Sequence, residues 1–149
     1  MPGLMASPAV ADGVVYVASV NTYALDASTG ALLWEYPASG GYGSSPAVAN
    51  GVVYVASDDG LYALNASTGA LAWKFATDNG LYSSPAVANG VIYFGALDNN
   101  IYALNAATGA VLWHYTAESY AVSSPAVVNG IVYVSSYDGK LYAFHLPNH

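Results

Sequence analysis

The 149 residues are enough for one domain with a sizeable core; 55% of them are hydrophobic and only 7% charged. No stretch approaches the ~18–20 unbroken apolar residues of a membrane-spanning helix, so this apolar content points to β-strands covered on both faces. Nine Asp plus Glu, two Lys (Lys74 and Lys140) and no Arg give a net charge of −7, and Cys is absent. This excludes a nucleic-acid footprint, disulfides, thiolate nucleophiles and cysteine zinc sites, and disfavours anionic lipid surfaces.

The first residues, MPGLMASPAVADG, hold neither a basic nor an apolar leader region, so no signal peptide is visible. The compartment is left open, since an exported parent protein would carry its signal outside this segment. From Ser7 onward the chain repeats itself. Ser-Pro-Ala-Val begins at Ser7, Ser45, Ser84 and Ser124, and each copy leads to a turn pair: Asp12-Gly13, Asn50-Gly51, Asn89-Gly90 and Asn129-Gly130. Such pairs suit two-residue type I′ hairpins, where both central positions need positive φ. Next come apolar runs from Val14, Val52, Val91 and Ile131, which do not alternate and so predict central strands buried on both sides.

A third strand follows at Tyr23-Ala24-Leu25, Tyr62-Ala63-Leu64, Tyr102-Ala103-Leu104 and Tyr142-Ala143-Phe144. In the first three units a Thr-Gly turn at Thr29, Thr68 or Thr108 then opens a strand carrying Trp34, Trp73 or Trp113. Four strands in ~40 residues is the size of a propeller blade. The reading is therefore an all-β propeller of antiparallel four-stranded blades, a single segment over 1–149. Its blades span 7–44, 45–83 and 84–123, with a partial fourth over 124–149. Six residues before the first Ser-Pro are too few to complete that fourth blade. The segment is expected to be a fragment, natural or engineered, of a longer propeller protein, or half of an eight-bladed ring closed by a second copy.

The pattern Ala-x-Asp/Asn-x-x-Thr-Gly-x-x-x-Trp appears as Ala24-Asp26-Thr29-Gly30-Trp34, Ala63-Asn65-Thr68-Gly69-Trp73 and Ala103-Asn105-Thr108-Gly109-Trp113. It is similar to the tryptophan-docking motif of pyrroloquinoline-quinone (PQQ) propeller repeats. The resemblance implies a Trp wedged between adjacent blades, commonly in an eight-bladed ring. The fourth unit departs from it, with His145 where Asp or Asn stands elsewhere. Quinone dehydrogenases of this kind use an Arg, a calcium held by acidic and amide groups, an acidic base and often adjacent cysteines. A chain without Arg or Cys cannot assemble that set, so neither catalysis nor a cofactor is expected. A non-catalytic scaffold is, resembling the outer-membrane assembly lipoproteins and sensor domains that carry these repeats without the quinone. The alternative is a segment of a quinoprotein dehydrogenase whose catalytic residues lie elsewhere.

Asp26, Asn65 and Asn105 read as turn caps, and Asn65-Ala66-Ser67 as a chance glycosylation match. His114, His145 and His149 share no ligand spacing, so no metal site is expected. One side of the blades has near-invariant turns, while the loops of the other vary. The varied side holds Tyr42, Asp58, Asp59, Asp78, Tyr82, Asp98, Glu118, Tyr120, Tyr137 and Asp138. Varied loops on a rigid frame are where binding is built, and this set would meet a cation or a basic protein patch. Equally, polar loops keep an apolar propeller soluble.

Overall fold

The computed structural model describes residues 6–38 and 43–146. It is a β-propeller segment whose fifteen described strands form four antiparallel sheets, one per blade. Blade 1 holds β1 (Ala9–Ala11), β2 (Val14–Ala18), β3 (Thr22–Asp26) and β4 (Leu32–Tyr36). Blade 2 holds β5 (Ala47–Ala49), β6 (Val52–Ser57), β7 (Gly60–Asn65) and β8 (Leu71–Ala76). Blade 3 holds β9 (Ala86–Ala88), β10 (Val91–Gly95), β11 (Asn100–Asn105) and β12 (Val111–Thr116). Blade 4 holds β13 (Ala126–Val128), β14 (Ile131–Ser135) and β15 (Leu141–His145).

Each first hairpin turns where the sequence demands it. Asp12, Asn50, Asn89 and Asn129 have φ near +50°, and the Gly after each lies near +75°, which is the type I′ geometry. The short inner strands β1, β5, β9 and β13 stand side by side in that order. A serine relay links them: the Ser7 N–H donates to Ser45 Oγ at 2.9 Å, Ser45 to Ser84 Oγ at 2.8 Å, and Ser84 to Ser124 Oγ at 3.1 Å.

Three apolar clusters hold the blades together. Tyr16, Ala18, Ala24 and Trp34 of blade 1 meet Val53, Val55, Tyr62 and Leu64 of blade 2. Tyr54, Ala56, Leu61 and Ala63 meet Ile92, Phe94 and Leu104 in the same way. Tyr93, Ile101 and Ala103 then meet Val132, Val134 and Phe144. Every blade thus has a forward face and a backward face, used in the same sense at each junction.

Among the described residues no such cluster joins blade 4 to blade 1. Burial on both faces, expected for all four central strands, is found in β6 and β10 only. In β2 and β14 buried positions alternate with half-buried or exposed ones, because each terminal blade packs on one side alone. Leu141 on the forward face of blade 4 is 68% exposed, whereas its counterparts Leu61 and Ile101 are at 0%. Val10 on the backward face of blade 1 is 66% exposed, beside half-buried Val15, Val17, Tyr23 and Leu25.

Candidate functional sites: the varied rim and the two end faces

The loops between second and third strands repeat one small device. An acid at the start of the turn accepts a hydrogen bond from the Tyr that opens the next strand. Tyr62 Oη donates to both carboxylate oxygens of Asp59 at 3.0 Å, Tyr102 to Asp98 at 2.5 Å and Tyr142 to Asp138 at 2.7 Å. The same carboxylates accept backbone N–H groups: Asn100 to Asp98 and Lys140 to Asp138, both at 2.9 Å. Burial, then the bond to Asp98, push the Tyr102 hydroxyl up to about 12. Burial works against ionising Asp138, yet the bonds from Tyr142 and neighbouring N–H groups hold its carboxyl below the usual range.

Both lysines are engaged. Lys74 Nζ lies 2.6 Å from Asp59 and 4.8 Å over the Tyr62 ring, and Lys140 Nζ lies 2.7 Å from Glu118. Three of the acids proposed for binding therefore brace their own loops, and Asp59 and Glu118 are paired with cations. Asp58 and Asp78 remain exposed on the rim, with the Asp58 carboxyl pushed up by burial and by adjacent Asp59. Tyr82, Tyr120 and Tyr137 are exposed too, Tyr137 most of all at 73%. Tyr42 and His149 lie outside the described residues. The bracing had a sequence signal, an Asp three or four residues before a Tyr in units two to four.

Trp34 is buried, its Nε1 donating to the Ala66 carbonyl at 2.8 Å. Trp73 repeats this on Ala106 at 3.1 Å but is half-buried, as is Trp113, whose ring lies 5.1 Å from Phe144. Trp73 stays open because it lines a cavity of about 570 Å³ between blades 2 and 3, with Tyr54, Leu112, Asn50 and Asn89. Among the described residues no three His, Asp or Glu come together as a metal site.

The profile of the family described as outer membrane protein assembly factor BamB matches the chain twice, over residues 1–81 and 61–147. No curated protein sequence matches it significantly. Among solved structures it is similar to BamB from Moraxella catarrhalis, with TM-score 0.83 and 27% identity over 95% of this chain and 46% of that one. The computationally designed Ika4 protein gives TM-score 0.81 at 17% identity, over 98% of this chain and 95% of that one. Quinohemoprotein alcohol dehydrogenase ADHIIG from Pseudomonas putida HK5 gives 0.76 at 24%, over 89% and 28%. The chain thus spans about half the length of the BamB structure it matches.

Proposed function

Because this chain belongs to the PQQ-like repeat family described as outer membrane protein assembly factor BamB, we propose that it is a non-catalytic β-propeller scaffold. In this reading two copies close head-to-tail into one eight-bladed ring that displays the varied rim to a partner. The observation that carries it is the pair of open end faces. Tyr133, Ser135, Leu141 and Ala143 on blade 4 are the counterparts of Tyr54, Ala56, Leu61 and Ala63, which pack against the next blade. Val15, Val17, Tyr23 and Leu25 on blade 1 are the counterparts of Val53, Val55, Tyr62 and Leu64, which receive them. Each copy carries both halves of a seam it already uses three times, and apolar faces of this extent call for cover.

Light scattering tests it: a species of twice the 15.3 kDa chain mass is expected at micromolar concentration. A species at the chain mass overturns it. The rim partner is proposed to carry positive charge, met by Asp58 and Asp78, which can be neutralised without cutting the Asp–Tyr braces. Binding that weakens with salt and with Asp58→Asn plus Asp78→Asn supports this, and an indifferent partner removes it.

The residues present do not fit the quinone and its calcium. The sequence has no Arg, both Lys are held by acids, and among the described residues no three His, Asp or Glu come together to hold a metal ion. The likeness to the quinohemoprotein dehydrogenase keeps a second reading open, a segment whose catalytic residues lie outside this chain. Tight stoichiometric uptake of PQQ with calcium, and dye reduction, would favour that reading over the scaffold.

A further inference from the structure

We propose that the cavity between blades 2 and 3 is a binding site for a neutral sugar, and that it takes a β-glucopyranose ring of a glycan. It lies wholly within the chain and is lined by the near-invariant turns, away from the acidic loops of the varied rim. Its volume of about 570 Å³ falls in the ~300–1,000 Å³ range of small-molecule sites.

Its two walls are apolar. Blade 2 supplies Val52, Tyr54 and Trp73, and blade 3 supplies Val91 and Leu112. Tyr54 Oη and Trp73 Nε1 both donate to the Ala106 carbonyl, at 3.2 and 3.1 Å. The donors of these two rings are thus engaged, and their hydrocarbon is what a ligand meets. Trp73 remains half-buried, although its counterpart Trp34, bonded in the same way to Ala66, is buried. On the other wall, Leu112 stands where the preceding unit has Ala72, so blade 3 brings a larger apolar side chain to this seam than blade 2 has at the same place.

The polar side chains that specify the ligand are amides. Asn50 and Asn89 are exposed in their hairpin turns. Asn105 accepts the N–H groups of Ala107 and Thr108 on its Oδ1, which leaves its NH2 to donate. No charged side chain lines the cavity, in a chain of net charge −7, so an ionic ligand finds no counter-charge there. A neutral ligand matched to this set has apolar surface on both faces and hydroxyls around its edge. An all-equatorial pyranose has that form. Its C–H bonds point to the two faces, where they suit the negative face of an aromatic ring. Its hydroxyls radiate in the plane of the ring, where an amide can both donate to them and accept from them. A plain aromatic ring would meet the same walls and leave the three amides unused.

Saturation-transfer NMR on the whole chain tests this with cellobiose as the probe. Methyl β-D-galactoside, whose axial hydroxyl interrupts one C–H face, and phenol, a flat ring with a single hydroxyl, serve as comparisons. Cellobiose is expected to bind saturably, with its C–H protons receiving the saturation, and methyl β-D-galactoside to bind more weakly. Trp73→Ala should weaken cellobiose about tenfold or more, as truncating an aromatic anchor does. Leu112→Ala, which installs the residue of the preceding unit, should weaken it too. So should Asn50→Gly with Asn89→Gly, which keeps both left-handed turns. Leu33→Ala, at a comparably exposed leucine of blade 1, should leave binding unchanged. Circular dichroism checks that each variant keeps its blades. Cellobiose that fails to bind, or that binds the Trp73→Ala and Leu112→Ala variants as well as the parent, overturns the site. A cavity that takes phenol and ignores cellobiose overturns the sugar, and an equal loss in Leu33→Ala overturns the location.

Discussion

Asp26 does alone what takes a neutral amide elsewhere in the repeat. Its Oδ1 accepts from the N–H and hydroxyl of Ser28 (3.0 and 2.6 Å) and of Thr29 (2.8 and 2.9 Å). Asn65 and Asn105 accept only the two backbone N–H groups. These bonds, the Ser28 hydroxyl foremost, lower the Asp26 carboxyl from 3.8 to about 2. A depressed carboxyl contributes stability that is complete above its unfolded value and disappears as pH falls through the folded one, here between pH ~4 and ~2. Asp26→Asn should therefore lower the thermal midpoint modestly near neutral pH, narrow the gap to the parent as pH falls to ~2, and flatten the acid limb in that window. A variant with the parent's full acid sensitivity would show that the loss arises elsewhere. That Asp, Asn and Asn cap one turn was legible from their shared phase in the sequence. The partners of Asp59, Asp98 and Asp138 were not, because a Tyr three or four residues away reaches the carboxylate only once the hairpin has set the loop.

The strands show where repetition informs and where it misleads. Strand number, order and turn type followed from the four-fold phrase, since each unit carries its own local code. The expectation that every apolar run is covered on both sides failed in β2 and β14, because a repeat cannot reveal whether a neighbour is present. The Trp series divides the same way. Trp34→Ala should cost ~3–5 kcal/mol, as for other buried aromatics, and Trp73→Ala measurably less, because its ring already meets an open cavity. Urea unfolding at fixed protein concentration checks the order, and equal losses would mean that the cavity is filled in solution. Gly95 is a sharper case: it occupies the place of Ala18 and Ala56, yet a Cβ there would lie 1.8 Å from the Ala121 carbonyl oxygen. Gly95→Ala should destabilise by ~1–3 kcal/mol through overpacking. A neutral result would show that the loop before β13 yields freely.

For the molecule entire, the two end faces set the expectations. On the proposed dimer, a carboxylate introduced at Leu141 or Val17 should leave four blades intact by circular dichroism and give a species of 15.3 kDa. A Val17→Asp variant that stays dimeric would move the seam elsewhere. Because each copy carries −7 while the faces are built of Val, Leu, Tyr, Ala and Ser, salt should strengthen their association by screening long-range repulsion. Weakening by salt would point to ion pairs at the contact.

The serine relay gives the arc a direction. Each inner strand gives its Ser N–H to the hydroxyl of the strand after it, so Ser124 ends the row with a donor and Ser7 begins it with an acceptor. Like ends offer two N–H groups or two hydroxyls, and neither pairing repeats the N–H-to-hydroxyl link of the row. Growth can only run one way, as in a polar filament. Whether it ends in a closed circle or continues as a helix depends on a few degrees of rotation at each blade. Trp34 and Trp73 stand on the glycine turns of the blades that follow them, so in the proposed ring a substitution that trims either contact is expected to change that rotation and favour a fibre over a closed circle while every blade remains folded.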